Sequence, residues 1–263
     1  MKGWFSRSRR TAEVPHVPAM CHLAPGNQWY EPVLAAPGTL AAAVCGGAAI
    51  ETALAVLERL SPDAYGVYVR DYYRAGLDRF GQSWQYADIN TVLIGLARML
   101  EPRTYLEIGV RRGRSMAMVS SVVPDVHLVG FDLWTTNYAG MDNPGPDFVE
   151  SELRRLGHRG AIELISGNSA STVPAFFKRH PTLYPEIITV DGDHSEAGAT
   201  RDLVNVIEHV PIGGVLVFDD VTHRDHQALR KVWSSVVVRD PRFATWEFTE
   251  LGFGVAFALR QRS

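Results

Sequence analysis

"TYLEIGVRRGRSMAMVSSVV", residues 104–123, is the stretch on which the fold turns. Its first seven residues read as a buried strand. A turn carrying Gly109 and Gly113 follows, and residues 113–123 then place apolar side chains at helical spacing. A strand, a glycine turn and a helix form the opening unit of a sheet whose strands are joined by crossovers.

The unit recurs downstream. Strands are predicted at 126–134, 161–169, 186–194 and 213–221, with helices at 147–157, 171–180, 195–210 and 224–237. "TWEFTEL" (245–251) and "GVAFALRQ" (254–261) stand almost back to back and have no helix between them, so they pair as a hairpin. The fold class predicted is α/β: a Rossmann-like, seven-stranded, mostly parallel sheet closed by an antiparallel C-terminal hairpin, with helices N-terminal to it.

Upstream lie three predicted helices: residues 49–60; residues 61–80, with Ser61 as N-cap and Pro62 at the first helical position; and residues 87–102. The second carries an aromatic stripe of Tyr65, Tyr68, Tyr72, Tyr73 and Phe80, read as core or as a contact between copies of a homo-oligomer. "VLAAPGTLAAAVCGGAAI" (33–50) follows a basic start and imitates a secretory signal. Residues 11–30, with Pro15, Pro18 and Pro25, separate the two, and Pro37, Gly38, Gly46 and Gly47 interrupt the apolar run. The division expected is an N-terminal segment or lid (1–60), a helical cap (61–102) and a core (103–263).

Composition excludes several classes. The chain has 263 residues, 46% hydrophobic and 21% charged, with a net charge of −3, so no basic field invites nucleic acid. No membrane span is expected. Two cysteines, Cys21 and Cys45, give neither metal spacing nor a disulfide framework, which fits the cytoplasm.

In such sheets ligands bind beyond the carboxyl ends of the strands. Those ends hold Glu107, Gly109, Gly113 and Ser115; Asp132 and Trp134; Gly167, Asn168 and Ser169; Asp191, Asp193 and His194; and Asp219 and Asp220. A dinucleotide fold wants G-x-G-x-x-G, whereas here Gly109 and Gly113 have no glycine between them. Glu107, two residues before Gly109, offers nothing to a pyrophosphate. A phosphate-free cofactor with a sulfonium and an ammonium group suits it better, and Asp132 can accept hydrogen bonds from two ribose hydroxyls.

"EIGVRRG", "GFD" and the closing hairpin together resemble the class I S-adenosylmethionine-dependent methyltransferases. "QYADINTVLIGLARMLEPRTYLEIGVRRGRS", "VDGDHSEAGATRDL" and "GGVLVFDD" are similar to the metal-dependent O-methyltransferases of natural-product sugars and to their cephalosporin hydroxylase-like relatives, over about residues 84–260. The resemblance implies cofactor contacts from Glu107, Gly109, Gly113, Ser115 and Asp132, with Asn168 or Ser169 near the adenine. Relatives often have a glycine where this chain has Arg114. Arg111, Arg112 and Arg114 would touch the methionyl carboxylate, touch an acidic substrate, or form a solvated basic turn.

The fourth and fifth strands would be neighbours, about 4.8 Å apart. Asp191, Asp219 and Asp220 at their tips repel one another unless a cation sits between them. Mg²⁺ suits oxygen ligands of this kind, and calcium or manganese would also fit. Two adjacent hydroxyls of a small-molecule acceptor, a sugar or other vicinal diol, could chelate such an ion. Asp193 and His194 are equal candidates for the base, with His223 and His226 in reserve. Two alternatives stay open: a protein that binds S-adenosylmethionine without transfer, and a metal-independent methyltransferase.

Overall fold

A computed structural model describes residues 33–137 and 140–263. Its first helices are α1 (Pro37–Cys45), α2 (Gly47–Arg59), α3 (Ala64–Phe80) and α4 (Ile89–Leu100). Strand and helix then alternate as β1 (Thr104–Ile108), α5 (Arg114–Val122), β2 (His127–Asp132), α6 (Pro146–Leu156), β3 (Ile162–Ser166), α7 (Ser169–Arg179), β4 (Ile187–Val190), α8 (Glu196–Val206), β5 (Val215–Asp219) and α9 (Ala228–Trp233). The hairpin of β6 (Phe243–Phe248) and β7 (Val255–Arg260) closes the fold.

The seven strands form one sheet in the order β3-β2-β1-β4-β5-β7-β6. The first five are parallel, and β7 runs antiparallel to both β5 and β6. The predicted mostly parallel sheet with its terminal hairpin is therefore present. Strand order reverses between β1 and β4, which opens a crevice at the carboxyl ends of both.

Alternation along the strands sends side chains to two helical layers. Tyr105, Leu128, Ile187, Val215 and Val217 face the layer built by α1, α2, α4 and α5. Leu106, Val129, Ile188, Leu216 and Phe218 face α7, α8 and α9. α4 is apolar around most of its circumference and buried except at Arg98 and Met99 near its end. The stretch 33–50 contributes α1, whose Leu40 and Val44 are fully buried in the first layer.

Several boundaries differ from the sequence reading. α3 starts at Ala64, not Pro62, because the Asp63 carboxylate accepts the Gly66 N–H at 2.8 Å and outcompetes Ser61 as cap. Ser61 instead donates its hydroxyl to Glu152 at 3.0 Å. α4 begins two residues late behind a capping box formed by Asp88 and Thr91, and ends where Glu101 turns left-handed at φ 44°. The strand predicted at 161–169 stops at Ser166, and Asn168 becomes the N-cap of α7 by accepting the Ala170 N–H at 2.9 Å. Asp191, Asp193 and His194 lie in the loop after β4 rather than in the strand.

The aromatic stripe is used mostly inside the molecule. Tyr73 is fully buried, and its ring and that of Tyr72 lie within 5.2–6.1 Å of Trp84 and Tyr86, leaving Tyr68 and Phe80 exposed. Among the described residues no single helix is long and apolar enough to cross a membrane; α1 and α2 would be so only together, and they bend by 52°. Cys21, and with it any pairing to Cys45, lies outside the described residues.

Candidate active site

The turn after β1 is shaped by backbone crowding. Gly109 adopts φ +98°, and a Cβ there would stand 1.9 Å from the Asp191 carbonyl oxygen. Only glycine lets β1 and β4 approach this closely at the crevice. Gly109 donates its N–H to Phe131 at 2.8 Å, and Asp191 donates to Ile108 at 2.8 Å, so the ends of β1, β2 and β4 share one backbone network. Gly113, at φ +73°, starts α5, and a Cβ there would press on Val149 at 2.7 Å.

Asp132 ties two loops together. Its carboxylate accepts the Arg111 N–H at 2.7 Å, the Trp134 N–H at 2.6 Å and the Asn143 amide at 3.3 Å. Each carboxylate oxygen has two lone pairs, so acceptor capacity remains toward the cavity that Asp132 lines. The loop before α6 is latched here: Asp142 pairs with Arg112 at 2.7 Å and its carbonyl accepts from Arg111 at 3.3 Å. The three arginines do not form a solvated turn, since the side chains of Arg111 and Arg112 are only 19% and 14% exposed.

Glu107 is fully buried in β1, and neither carboxylate oxygen has a hydrogen-bond partner. Burial pushes its carboxyl up to about 8, with Asp191 and Asp132 adding to the rise. An orphaned acid beneath a glycine turn fits a cofactor that brings an ammonium group.

At the ends of β4 and β5 a second acidic group forms. One oxygen of Asp191, one nitrogen of His194 and one oxygen of Asp220 lie within 4.8 Å of one another, an arrangement able to hold a metal ion. His194 Nε2 is 3.3 Å from Asp191 Oδ1, and its Nδ1 is 3.6 Å from Asp220 Oδ2. Asp219 lies outside this trio and is half-buried beside it. Burial and then Asp191 drive the Asp219 carboxyl well above the usual range, and the same causes lift Asp220 to about 7. Burial opposes protonation of His194, but Asp191 and Asp220 outweigh it and its pKa rises.

Asp193 behaves differently from His194. It is exposed, and its carboxylate accepts the Ser195 N–H at 2.9 Å while leaning on Gly198 at the start of α8.

A cavity of about 590 Å³ joins these parts. Gly109, Asp132, Asn168, Ser169, Asp191, Asp193, His194, Asp219 and Asp220 all line it. Ser115 lines a smaller cavity of about 190 Å³ on the other side of the β1 turn, while Glu107 and Gly113 line neither. His223 and His226 also face the larger cavity, with the ring of His226 4.8 Å from that of His194. The sequence reading missed Tyr65, Met141 and Phe253 as wall residues. Phe253 arrives because its carbonyl accepts the Thr222 N–H at 2.7 Å, a contact no local pattern announces.

Residues 106–221 match a family described as a methyltransferase domain. No curated protein matches the chain. Among solved structures, the O-methyltransferase TomG from Streptomyces achromogenes, in complex with SAM, is 20% identical with a TM-score of 0.54, over 77% of this chain and 92% of that one. The SAH-bound methyltransferase PaMTH1 from Podospora anserina is 18% identical with a TM-score of 0.52, over 77% and 90%. CalS11, a TDP-rhamnose 3'-O-methyltransferase of calicheamicin biosynthesis, is 18% identical with a TM-score of 0.51, over 80% and 93%. At these identities the likeness is one of fold, and it is the fold that the strand order had already given. The matched stretch runs from within β1 to just past the end of β5, so residues 106–221 are similar to a methyltransferase domain, set in the fold that these solved methyltransferases share.

Proposed function

We propose that the protein transfers a methyl group from S-adenosylmethionine to a hydroxyl of a small molecule bearing two adjacent hydroxyls, a sugar or other natural-product diol, with the help of a divalent cation, Mg²⁺ by preference. The observation that carries this reading is the cluster of Asp191, His194 and Asp220 in the wall of the same cavity that Asp132 lines. The O-methyl transfer named for TomG and CalS11 supports it.

Glu107 and Gly109, with Ser115 beyond the turn, would receive the amino-acid end of the cofactor. Asp132 would receive the ribose, and Asn168 and Ser169 the adenine side. Asp191 and Asp220, the two carboxylates of the trio, would hold the cation with Asp219 beside them, and its chemistry would be to polarise the acceptor hydroxyl and fix its direction. His194 would take the hydroxyl proton, because its imidazole already contacts two of these carboxylates and Asp193 is spent on a turn. α3, in the segment read as a cap, sends Tyr65 into the cavity and would shape the acceptor end. Displacement at a methyl group is a single step, so holding the two reactants in line supplies much of the rate.

A metal-independent reading draws on one observation, the His194–Asp191 contact at 3.3 Å, which could serve as a base pair without an ion. Methyl transfer to a panel of vicinal diols, followed by mass spectrometry with and without EDTA, separates the two. Loss of transfer in chelator and its return with Mg²⁺ is the expected result. Undiminished transfer in excess chelator would leave the cluster with a structural role.

A further inference from the structure

Arg111, Arg112 and Arg114 crowd one turn, yet their surroundings differ. Arg111 Nη2 lies 2.9 Å from Asp63, and Arg112 Nη1 lies 2.7 Å from Asp142. Arg114 has no carboxylate within ion-pair distance among the described residues, and its Nε is buried without a hydrogen-bond partner. Its guanidinium instead sits over the Tyr65 ring, 4.8 Å from the centroid. Both side chains line the larger cavity, on whose wall Asp219, Asp220 and His194 also stand.

A guanidinium nitrogen withdrawn from water without an acceptor, as Arg114 Nε is, is costly. Stacking on Tyr65 offsets part of that cost. Asp220 stands on the wall of the same cavity but does not pair with the guanidinium. A planar fork of donors lacking its partner matches one kind of ligand, an oxyanion that accepts two parallel hydrogen bonds.

We infer that Arg114, stacked on Tyr65, anchors an oxyanion carried by the acceptor, a carboxylate or a phosphate, and so makes the enzyme select acidic vicinal diols over neutral ones. This rests on the transfer reading above and adds the substrate class to it. Arg114 also borders the smaller cavity beside Ser115, so the methionyl carboxylate is the competing occupant.

The test uses two matched pairs of probes: 3,4-dihydroxybenzoate against catechol, and glucose 1-phosphate against methyl glucoside. Binding is measured by calorimetry in the presence of S-adenosylhomocysteine and Mg²⁺, and transfer by mass spectrometry, for the wild type, Arg114→Gln and Arg114→Lys. The wild type is expected to prefer at least one acidic probe by tenfold or more. Which pair shows the preference tells carboxylate from phosphate. Arg114→Gln should erase the preference, Arg114→Lys should keep part of it, and S-adenosylhomocysteine should bind both within about twofold of the wild type. A tenfold loss of S-adenosylhomocysteine affinity in Arg114→Gln would overturn the proposal in favour of the cofactor's carboxylate. Equal binding of acidic and neutral probes to the wild type would overturn it as well. If no probe is methylated, the calorimetric preference still decides the anion site, and only the transfer reading falls.

Discussion

Two side chains summarise how the site works at the scale of single residues. Glu107 carries a carboxyl raised from an ordinary 4.5 to about 8 by burial. Between those values the folded protein holds one proton more than the unfolded chain, so ligand-free stability falls as pH rises through this window and levels off above about 8. Glu107→Gln removes that slope and raises ligand-free stability at pH 8 by on the order of a few kcal/mol. Denaturant titrations at pH 5 and pH 8 check it, and a slope unchanged by the substitution would show that Glu107 is not its source. His194 is the second. Substitution by Gln should cut kcat by roughly 10²–10⁴, the usual worth of a positioned base, with S-adenosylhomocysteine affinity preserved. Asp193→Asn should change kcat little. The reverse pattern would return the base to Asp193.

At the scale of elements, Asp88 shows how two helices of the first layer are pinned to each other. Its carboxylate caps α4 through the Asn90 and Thr91 N–H groups at 2.8 and 3.2 Å, and it also accepts the Tyr73 hydroxyl of α3 at 2.6 Å. One side chain thus ends a loop, starts a helix and satisfies a fully buried phenol. Asp88→Ala should cost about 2–4 kcal/mol, the sum of a lost cap and a stranded hydroxyl. Adding Tyr73→Phe should recover about 1 kcal/mol of it, because the apolar ring has nothing left unpaired. Urea unfolding of the single and double variants measures both. The N-cap was misplaced by sequence for α3 and overlooked for α4. Ser-Pro and Asp compete on nearly equal terms by composition, and only the fit of each carboxylate to its own first turn separates them.

For the whole molecule, the notable quantity is the crowding of acids where the sheet reverses. Asp219 and Asp220 titrate high because burial and Asp191 both oppose their charge. A cation that binds the folded state alone adds stability by mass action, about 2.7 kcal/mol at a hundredfold excess over its dissociation constant. Mg²⁺ should therefore raise the melting temperature of the wild type. Asp191→Asn should start from a higher melting temperature in metal-free buffer, since one repelling charge is gone, and should respond little to the ion. A thermal-shift series in Mg²⁺ tests this, and an equal response from both proteins would remove Asp191 from the cation site.

The sequence by itself determined the order of strands and helices, the parallel run with its closing hairpin, and the gathering of Glu107, Asp132, Asp191, Asp219 and Asp220 at one edge. These follow from periodicities of two and 3.6 residues and from glycine turns, which are local properties of the chain. What each polar group touches was decided only in three dimensions. His194 joins Asp191 and Asp220, Asp193 turns away to α8, and Asp132 clasps two loops. Arg111 and Arg112 find acids from α3 and from the loop before α6, and Arg114 finds none among the described residues. The direction of a loop side chain depends on left-handed turns such as Arg111, Trp134 and Asp220, and on partners distant in the chain. No pattern within a short window encodes either.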